Sequence, residues 1–402
     1  MKTDRACPVC GGGDSKLLFE QRFEQLSGAR LLDGYAIVVC RDCGTAFADH
    51  IPEQAVFDEY YREFSKYEGG EPAAVNAPAT EQRFEDAARL VAEFIPARDA
   101  RILEIGCGFG QFLWVLRQRG FSNLLGADPS PGCARAAKQF YGVPVIDRTV
   151  FTLERPDIPY DFLILIGVME HIRDLDRTIG RLHDLLSPTG RVYVEVPDAS
   201  RLESGMDAPF QEFSVEHINY FTSDSLVHAA TAAGLGLAQT WSALRRTGTA
   251  PEPVVCAVFK LARTVVGHGT RDRVGPAAVR RYVAQSEALE TVERARLERL
   301  TAAGAPLIIW GAGTHMQHLL ARPPLADATI VAIVDANPRL HGVVVAGLTV
   351  SGPESIAGRD EPILVGSPAH EREIIDAARR VYGLENRFVS LTPPLAADCQ
   401  TL

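Results

Sequence analysis

The sequence predicts an α/β protein centred on a doubly wound parallel sheet, with a small four-cysteine lobe before it and a second glycine-loop α/β domain after it. Three observations carry that expectation. Strand-like apolar runs alternate with helix-like segments through the middle of the chain. A glycine-rich turn, Glu104-Ile105-Gly106-Cys107-Gly108-Phe109-Gly110, joins a strand (Arg101-Ile102-Leu103) to a helical run (Phe112 to Arg119), and a shorter version recurs at Gly311-Ala312-Gly313. Two C-x-x-C-G pairs, Cys7-Pro8-Val9-Cys10-Gly11 and Cys40-Arg41-Asp42-Cys43-Gly44, stand ahead of both. At 402 residues the chain is too long for one ordinary domain.

Residues 1–75 read as the cysteine lobe and a connector. In each pair two thiolates point at one spot, and the glycine permits the tight turn behind them. Together Cys7, Cys10, Cys40 and Cys43 offer a closed tetrahedral site for structural zinc. A redox pair or disulfides are the alternative, disfavoured in a reducing compartment. Zinc-binding peptides gain about 10–16 kcal/mol from such sites, so the lobe is expected to unfold without metal. Cys107, Cys133, Cys256 and Cys399 read as small buried apolar residues. Tyr35 to Cys40 alternates like a strand, and Gln54 to Tyr67 reads as a helix rich in aromatics. Gly69-Gly70 breaks that helix, and another runs from near Thr80 to Phe94.

Residues 76–262 hold the central sheet. Glycines in its first turn let the backbone approach a bound ligand where a Cβ would clash. The second strand, Asn123 to Asp128, ends in a carboxylate placed to accept both hydroxyls of a ribose. Thr149 and Val150 follow the third strand (Val143 to Asp147), at the edge of an adenine position. Tyr160 to Leu165 is the fourth strand, followed by Gly167-Val168-Met169-Glu170-His171-Ile172. Leu185 to Pro197 supplies a turn and the next strand. A nicotinamide-dinucleotide fingerprint is the competing reading, but it spaces its glycines G-x-G-x-x-G and lacks the acid two positions before them. The run E-x-G-x-G-x-G with its matching downstream segments resembles S-adenosylmethionine (SAM)-dependent methyltransferases of the class I, Rossmann-like type. The resemblance implies SAM as cofactor, with Glu104, Gly106, Gly108 and Gly110 around its methionine and ribose and Asp128 on the ribose hydroxyls.

Residues 263–304 read as a helical linker whose charged, periodic part, Ala277 to Ala303, has its glutamates and arginines on a solvated face. Residues 305–402 form the second Rossmann-like domain, with strands at Pro306 to Trp310, Ile330 to Asp335 and Pro362 to Gly366. Its glycine turn lacks the third glycine of a dinucleotide fingerprint. Packing against the core, or shaping a substrate pocket, is expected of it rather than a nucleotide of its own.

The order of zinc lobe, SAM core, linking helix and C-terminal Rossmann-like domain is similar to the sugar C-methyltransferase family, which acts on nucleotide-linked 4-keto deoxysugars in natural product biosynthesis. That family carries a Glu-His pair after the fifth core strand, matched here by Glu216-His217. The resemblance implies His217 as general base and Glu216 as its partner or as acceptor of a substrate hydroxyl. A keto group acidifies the neighbouring carbon, and a base with a pKa near neutrality can remove that proton. His171, just after the fourth strand, is a second candidate. A loop histidine that merely caps or packs is the alternative for both. Tyr60, Tyr61, Tyr67 and Tyr220 are candidates to close the sugar site. Arg245 and Arg246 are candidates for a diphosphate, or plain surface charge. Ser214 stands where the family places a tyrosine, so methylation at oxygen stays open beside methylation at carbon.

A net charge of −10 without a basic stripe argues against a nucleic-acid partner. No apolar run is long enough to span a bilayer, and Met1-Lys2-Thr3-Asp4-Arg5 leads into a cysteine motif rather than a signal peptide, so a cytoplasmic location without a membrane partner is expected. The expected partner is a small molecule, a nucleotide sugar before others, bound by a monomer or weak oligomer.

Overall fold

A computed structural model describes residues 2–24, 31–63, 78–204, 206, 208–246, 251–262 and 270–391. The chain divides into two compact units. The first comprises Met1–Glu20, Tyr35–Gly205 and Glu216–Arg280, and the second Gln21–Gly34, Met206–Val215 and Arg281–Leu402.

The first unit is built on a seven-stranded sheet. Five strands run parallel, in the spatial order Leu186–Pro197, Tyr160–Ile166, Ile102–Ile105, Leu124–Asp128 and Val145–Asp147. Pro251–Leu261 and Leu235–Arg246 extend the first of these edges with antiparallel pairing. Ile102–Ile105, the earliest strand in sequence, lies between two later ones. The chain therefore reverses its order across the sheet there, and such a switch point opens a crevice at the strand ends. Strand residues alternate between two cores: Leu103, Ile105, Leu163 and Leu165 enter one, and Ile102, Phe162 and Ile164 the other. Both faces being covered, the strands read as near-continuous apolar runs. The helix Gln111–Gln118 covers one face with Phe112, Leu113, Val115 and Leu116. Leu175–Leu185 covers the other through Leu175, Ile179 and Leu182, one helical stripe.

The cysteine lobe is part of this unit. Gly34–Cys40 pairs antiparallel with Ala46–Asp49, which pairs in turn with the short strand Asn219–Tyr220. Val38, Cys40, Cys43 and Phe47 enter the same core as Leu103 and Leu165. Gly11 and Gly44 take positive φ (72° and 86°), and their amides close equivalent turns onto the carbonyls of Cys7 and Cys40. A side chain at Gly44 would bring its Cβ to 2.1 Å from the Asp272 carbonyl oxygen.

The second unit repeats the parallel plan, with Leu307–Trp310 flanked by Ile330–Val334 and Ile363–Val365. Leu348–Ser351 and Phe388–Val389 extend it on either side. The linking helix spans Gly275–Thr301. Its acids are not all solvated, which corrects the sequence expectation. Glu290 contacts His318 at 2.8 Å, and Glu293, 4% exposed, contacts His315 at 3.4 Å. Residues three apart on each of two helices form matching rungs, a pattern that charge alone does not separate from a surface face. Among the described residues no helix is long and apolar enough to cross a membrane.

Candidate active site

A cavity of about 370 Å³ opens in the first unit at the switch point of the sheet. Its walls come from the glycine turn, the ends of the second, third and fourth parallel strands, the helix Pro78–Val91 and the segment carrying Glu216 and His217. The volume suits a nucleoside-sized ligand.

One end of the cavity is organised by Asp128. Its Oδ2 accepts the Gly108 amide at 2.9 Å, and its Oδ1 accepts the Ser130 amide at 3.0 Å. Burial raises its pKa, and these two amides pull it back. Each oxygen keeps a further lone pair that a ribose hydroxyl could use. Gly106 has a φ of 71°, and a Cβ there would sit 2.5 Å from a Val168 methyl carbon. Glu104 is 3% exposed, and its Oε2 has no hydrogen-bond partner among the described residues. Burial, then the charge of Asp128, pushes its carboxyl well above the usual range. An orphaned buried carboxylate costs about 1–3 kcal/mol or more, so its presence on a cavity wall fits a cationic ligand group. Thr149 and Val150 edge the same cavity, although the Thr149 hydroxyl also accepts the Phe151 amide in a local turn.

At the other end the structure gathers Glu170, His171 and His217. Their ligand-capable atoms all lie within 4.8 Å of one another, and the two imidazole centroids are 4.9 Å apart. The Glu216 carbonyl lies 3.0 Å from His171 Nδ1. Only a protonated Nδ1 can donate to it, so a neutral His171 would carry its lone pair on Nε2. Glu170 is buried, its Oε2 has no hydrogen-bond partner among the described residues, and burial lifts its carboxyl to about 8.

Long-range pairing builds this end. The Ile218 amide donates to the Glu170 carbonyl at 2.9 Å. Asn219 Nδ2 donates to the carbonyls of Met169 and Ile172, at 2.8 and 2.7 Å. The Arg5 guanidinium, also buried, donates to the Ile218 and Arg173 carbonyls and to Asn219 Oδ1. Arg5, Asn219 and Glu170 were missed in the sequence. Asn219 and Glu170 stand beside residues that were singled out, but no local pattern marks Arg5, which works through partners far along the chain.

The other expected site residues divide between the cavity and the core around it. Tyr61 lines the cavity, with its ring 5.9 Å from that of His171. Tyr60 donates its hydroxyl to Glu216 Oε1 at 3.0 Å, which engages the Glu216 carboxylate. Tyr220 is 5% exposed and donates to the His217 carbonyl at 2.9 Å; it supports the histidine segment and does not line the cavity. Arg245 corrects the diphosphate expectation. It is 3% exposed and grips Glu195 with Nε at 3.2 Å and Nη2 at 2.8 Å. Burial alone would raise the Glu195 carboxyl, but the Arg245 fork outweighs it and holds it below its ordinary value. Tyr67 and the Arg246 side chain lie outside the described residues.

The four cysteines converge as their spacing predicts. Cys7 Sγ lies 3.5 Å from Cys43 Sγ, and Cys10 Sγ 3.5 Å from Cys40 Sγ. All four sulfurs stay within 4.8 Å of each other. Thiolates bonded to zinc at about 2.3 Å sit about 3.8 Å apart in a tetrahedron, so the donor set fits that ion.

Residues 79–240 match the family profile described as a methyltransferase domain. A trans-aconitate 2-methyltransferase of Methylobacterium nodulans is 32% identical over 120 residues, covering 29% of this chain and 46% of that protein. A tRNA U34 carboxymethyltransferase of Hahella chejuensis is 26% identical over 147 residues, covering 34% of this chain and 44% of its own. The chain thus spans less than half the length of these curated relatives. An S-adenosylmethionine-dependent methyltransferase from Mesorhizobium loti superposes at a TM-score of 0.37 with 16% identity, over 47% of this chain and all 100% of that one. The family match, with the strand order and glycine turn described above, makes residues 79–240 a methyltransferase domain of the class I, Rossmann-like type.

Proposed function

We propose that this protein transfers a methyl group from SAM to a nucleotide-linked deoxysugar, or a similar small polar metabolite, at a carbon beside a keto group. The observation that carries the reading is a single cavity with a ribose-reading acid at one end and a histidine pair at the other. Bound SAM supplies an electrophilic sulfonium methyl, so the residues must mainly make and aim a nucleophile. Asp128 takes the ribose hydroxyls, Gly106, Gly108 and Gly110 allow close backbone approach, and Glu104 faces the cationic amino-acid end. His217 Nε2 or Nδ1 removes the proton beside the carbonyl. The resulting enolate carbon forms the new C–C bond as the S–CH3 bond breaks, and the imidazolium returns its proton to solvent. His171 supports His217 edge-on, and Glu216, steadied by Tyr60, accepts a substrate hydroxyl. Zinc on Cys7, Cys10, Cys40 and Cys43 holds the lobe whose hairpin pairs with the strand following His217.

A second reading is methylation at oxygen. The spacing of Glu170, His171 and His217 favours it, because three such donors could also hold a divalent cation that acidifies a hydroxyl. Mass spectrometry in heavy water with SAM and a panel of 4-keto and reduced nucleotide sugars separates the two. Methyl gain on a keto sugar, with solvent deuterium entering beside the carbonyl in cofactor-free controls and lost in His217→Asn, supports carbon. Metal-dependent gain on a reduced sugar without exchange supports oxygen. No gain on any sugar despite SAM binding removes the sugar from the proposal.

A further inference from the structure

We infer that Arg5 is a positioning residue for the histidine pair: its guanidinium fastens the segment carrying His217 to the loop carrying His171, and ties both to the four-cysteine lobe. The inference rests on the reading of His217 as the base and adds the device that aims it. Arg5 stands two residues before Cys7, and its amide donates to Asp49 Oδ1 at 2.9 Å, at the end of the lobe's hairpin. From there the guanidinium reaches towards the site. Nη1 donates to the carbonyls of Ala48 and Ile218, both at 3.3 Å. Nη2 donates to the Arg173 carbonyl at 2.7 Å and to Asn219 Oδ1 at 2.8 Å. Ile218 directly follows His217, and Arg173 lies two residues past His171. Asn219 passes the grip on, because its Nδ2 donates to the Met169 and Ile172 carbonyls on either side of His171.

Stability alone is a poor reason for this residue. Arg5 is 4% exposed, and apolar residues of similar volume often replace buried ions without loss of stability. An apolar side chain cannot hold acceptors from separate stretches of chain at fixed mutual angles. The planar fork of arginine does so here for Ala48, for Arg173 and for Ile218 with Asn219. Register matters at this place. The His171 and His217 rings meet edge to face with centroids 4.9 Å apart, and a misplacement of about 1 Å costs about 100-fold in rate. Among the described residues of the lobe, none lines the cavity. Its influence on the histidines runs through Arg5 and through the pairing of its hairpin with Asn219–Tyr220.

Nitrogen NMR of the histidine side chains in the full chain tests the clamp without a sugar. In wild-type protein above the imidazole titration range, His171 should show the Nδ1–H tautomer that its contact with the Glu216 carbonyl requires. In Arg5→Gln that signal should become a mixture of both tautomers, and the His217 signal should move with it. His183 and His228 should keep their signals, and S-adenosylhomocysteine affinity should stay within about twofold. Arg5→Lys keeps the charge and loses the fork, so it should show the same mixture to a smaller degree; it decides the matter if Arg5→Gln does not fold. Deuterium entry beside the carbonyl of a nucleotide-linked 4-keto sugar should slow about 10- to 100-fold in Arg5→Gln. Wild-type histidine signals in a folded variant, or an equal disturbance of His183 and His228, would overturn the proposal. Absence of exchange in the wild-type protein would overturn His217 as the base, while the imidazole signals still decide the clamp.

Discussion

The two glycine turns of this chain share one construction and differ in what surrounds it. In the first unit the Gly106 amide donates to the Ala127 carbonyl at 2.8 Å; in the second, Gly311 does the same to Val334 at 2.8 Å. Asp128 ties down the amides of Gly108 and Ser130, and Asp335 those of Ala312 and Asn337, at 2.9 and 2.8 Å. An acid ending the second strand is therefore a device for holding a glycine turn shut, and does not by itself mark a ligand. The turns part at the position two residues before the first glycine. There the first unit buries Glu104, and the second buries Ile309. An isoleucine satisfies the fold at no electrostatic penalty. A carboxylate there is unfavourable for the empty protein, and in an evolved chain such a departure points to function.

The largest expected effect separates the two units as wholes. Chelating metal from the four-cysteine site should remove stabilisation of about 10 kcal/mol from the first unit, by analogy with zinc-binding peptides. Hydrogen exchange read peptide by peptide should show residues 2–20 and 35–49 losing protection while 307–391 keep theirs. Uniform protection after complete metal removal would mean that packing of Val38 and Phe47 into the shared core suffices. The next effect tests the turns. Asp128→Asn and Asp335→Asn should each weaken one clamp and lower the melting temperature similarly. Only Asp128→Asn should also weaken S-adenosylhomocysteine binding, by about 10- to 100-fold. An equal binding loss in Asp335→Asn would place a nucleotide in the second unit after all.

Much of this contrast was legible in the sequence, because local chemistry produces it. Glycines needing positive φ, an acid at a strand end and C-x-x-C-G knuckles are short-range requirements, and the structure places each where its spacing predicts. What could not be read depends on partners distant in sequence. Arg245 looks like exposed charge until Glu195, fifty residues earlier, is seen beside it. Tyr220 looks like a pocket aromatic, yet its hydroxyl goes to a backbone carbonyl. Glu290 and Glu293 sit on a helix whose charged periodicity matches a solvated face, and only the packing of His315 and His318 against them shows otherwise. Arg5 carries no local signal; its role comes from where the fold brings it.

Converting one turn into the other gives a smaller and more diagnostic effect. Glu104→Ile reproduces in the first unit the residue found in the second. Removing an orphaned buried carboxyl should stabilise the unliganded protein by about 1–3 kcal/mol, raising the melting temperature by several degrees. The same change should weaken cofactor binding, so stability and function move in opposite directions. Stabilisation without a binding loss would reduce Glu104 to a tolerated defect, and destabilisation would mean that the carboxyl has a partner when the protein is in water.

The last contrast concerns how each unit treats a buried acid as pH changes. In the second unit Glu290 is paired with His318, and although burial opposes it, the pair holds the carboxyl below its ordinary value. In the first, burial lifts Glu170 to about 8. An unfolded glutamate ionises near pH 4.3, so from about pH 4.3 to 8 the folded protein retains a proton that the unfolded chain has released. Stability must then fall as pH rises through that window, with the penalty complete above about pH 8. Glu170→Gln cannot titrate and should lack this component. Urea midpoints of the unliganded protein and the variant, measured from pH 4 to 9, should therefore separate progressively in favour of Gln and level off near pH 8. A constant separation would mean that Glu170 ionises as it does in water. Its carboxylate would then be solvated, and the floor of the cavity beside the two histidines would be wet rather than dry before substrate arrives.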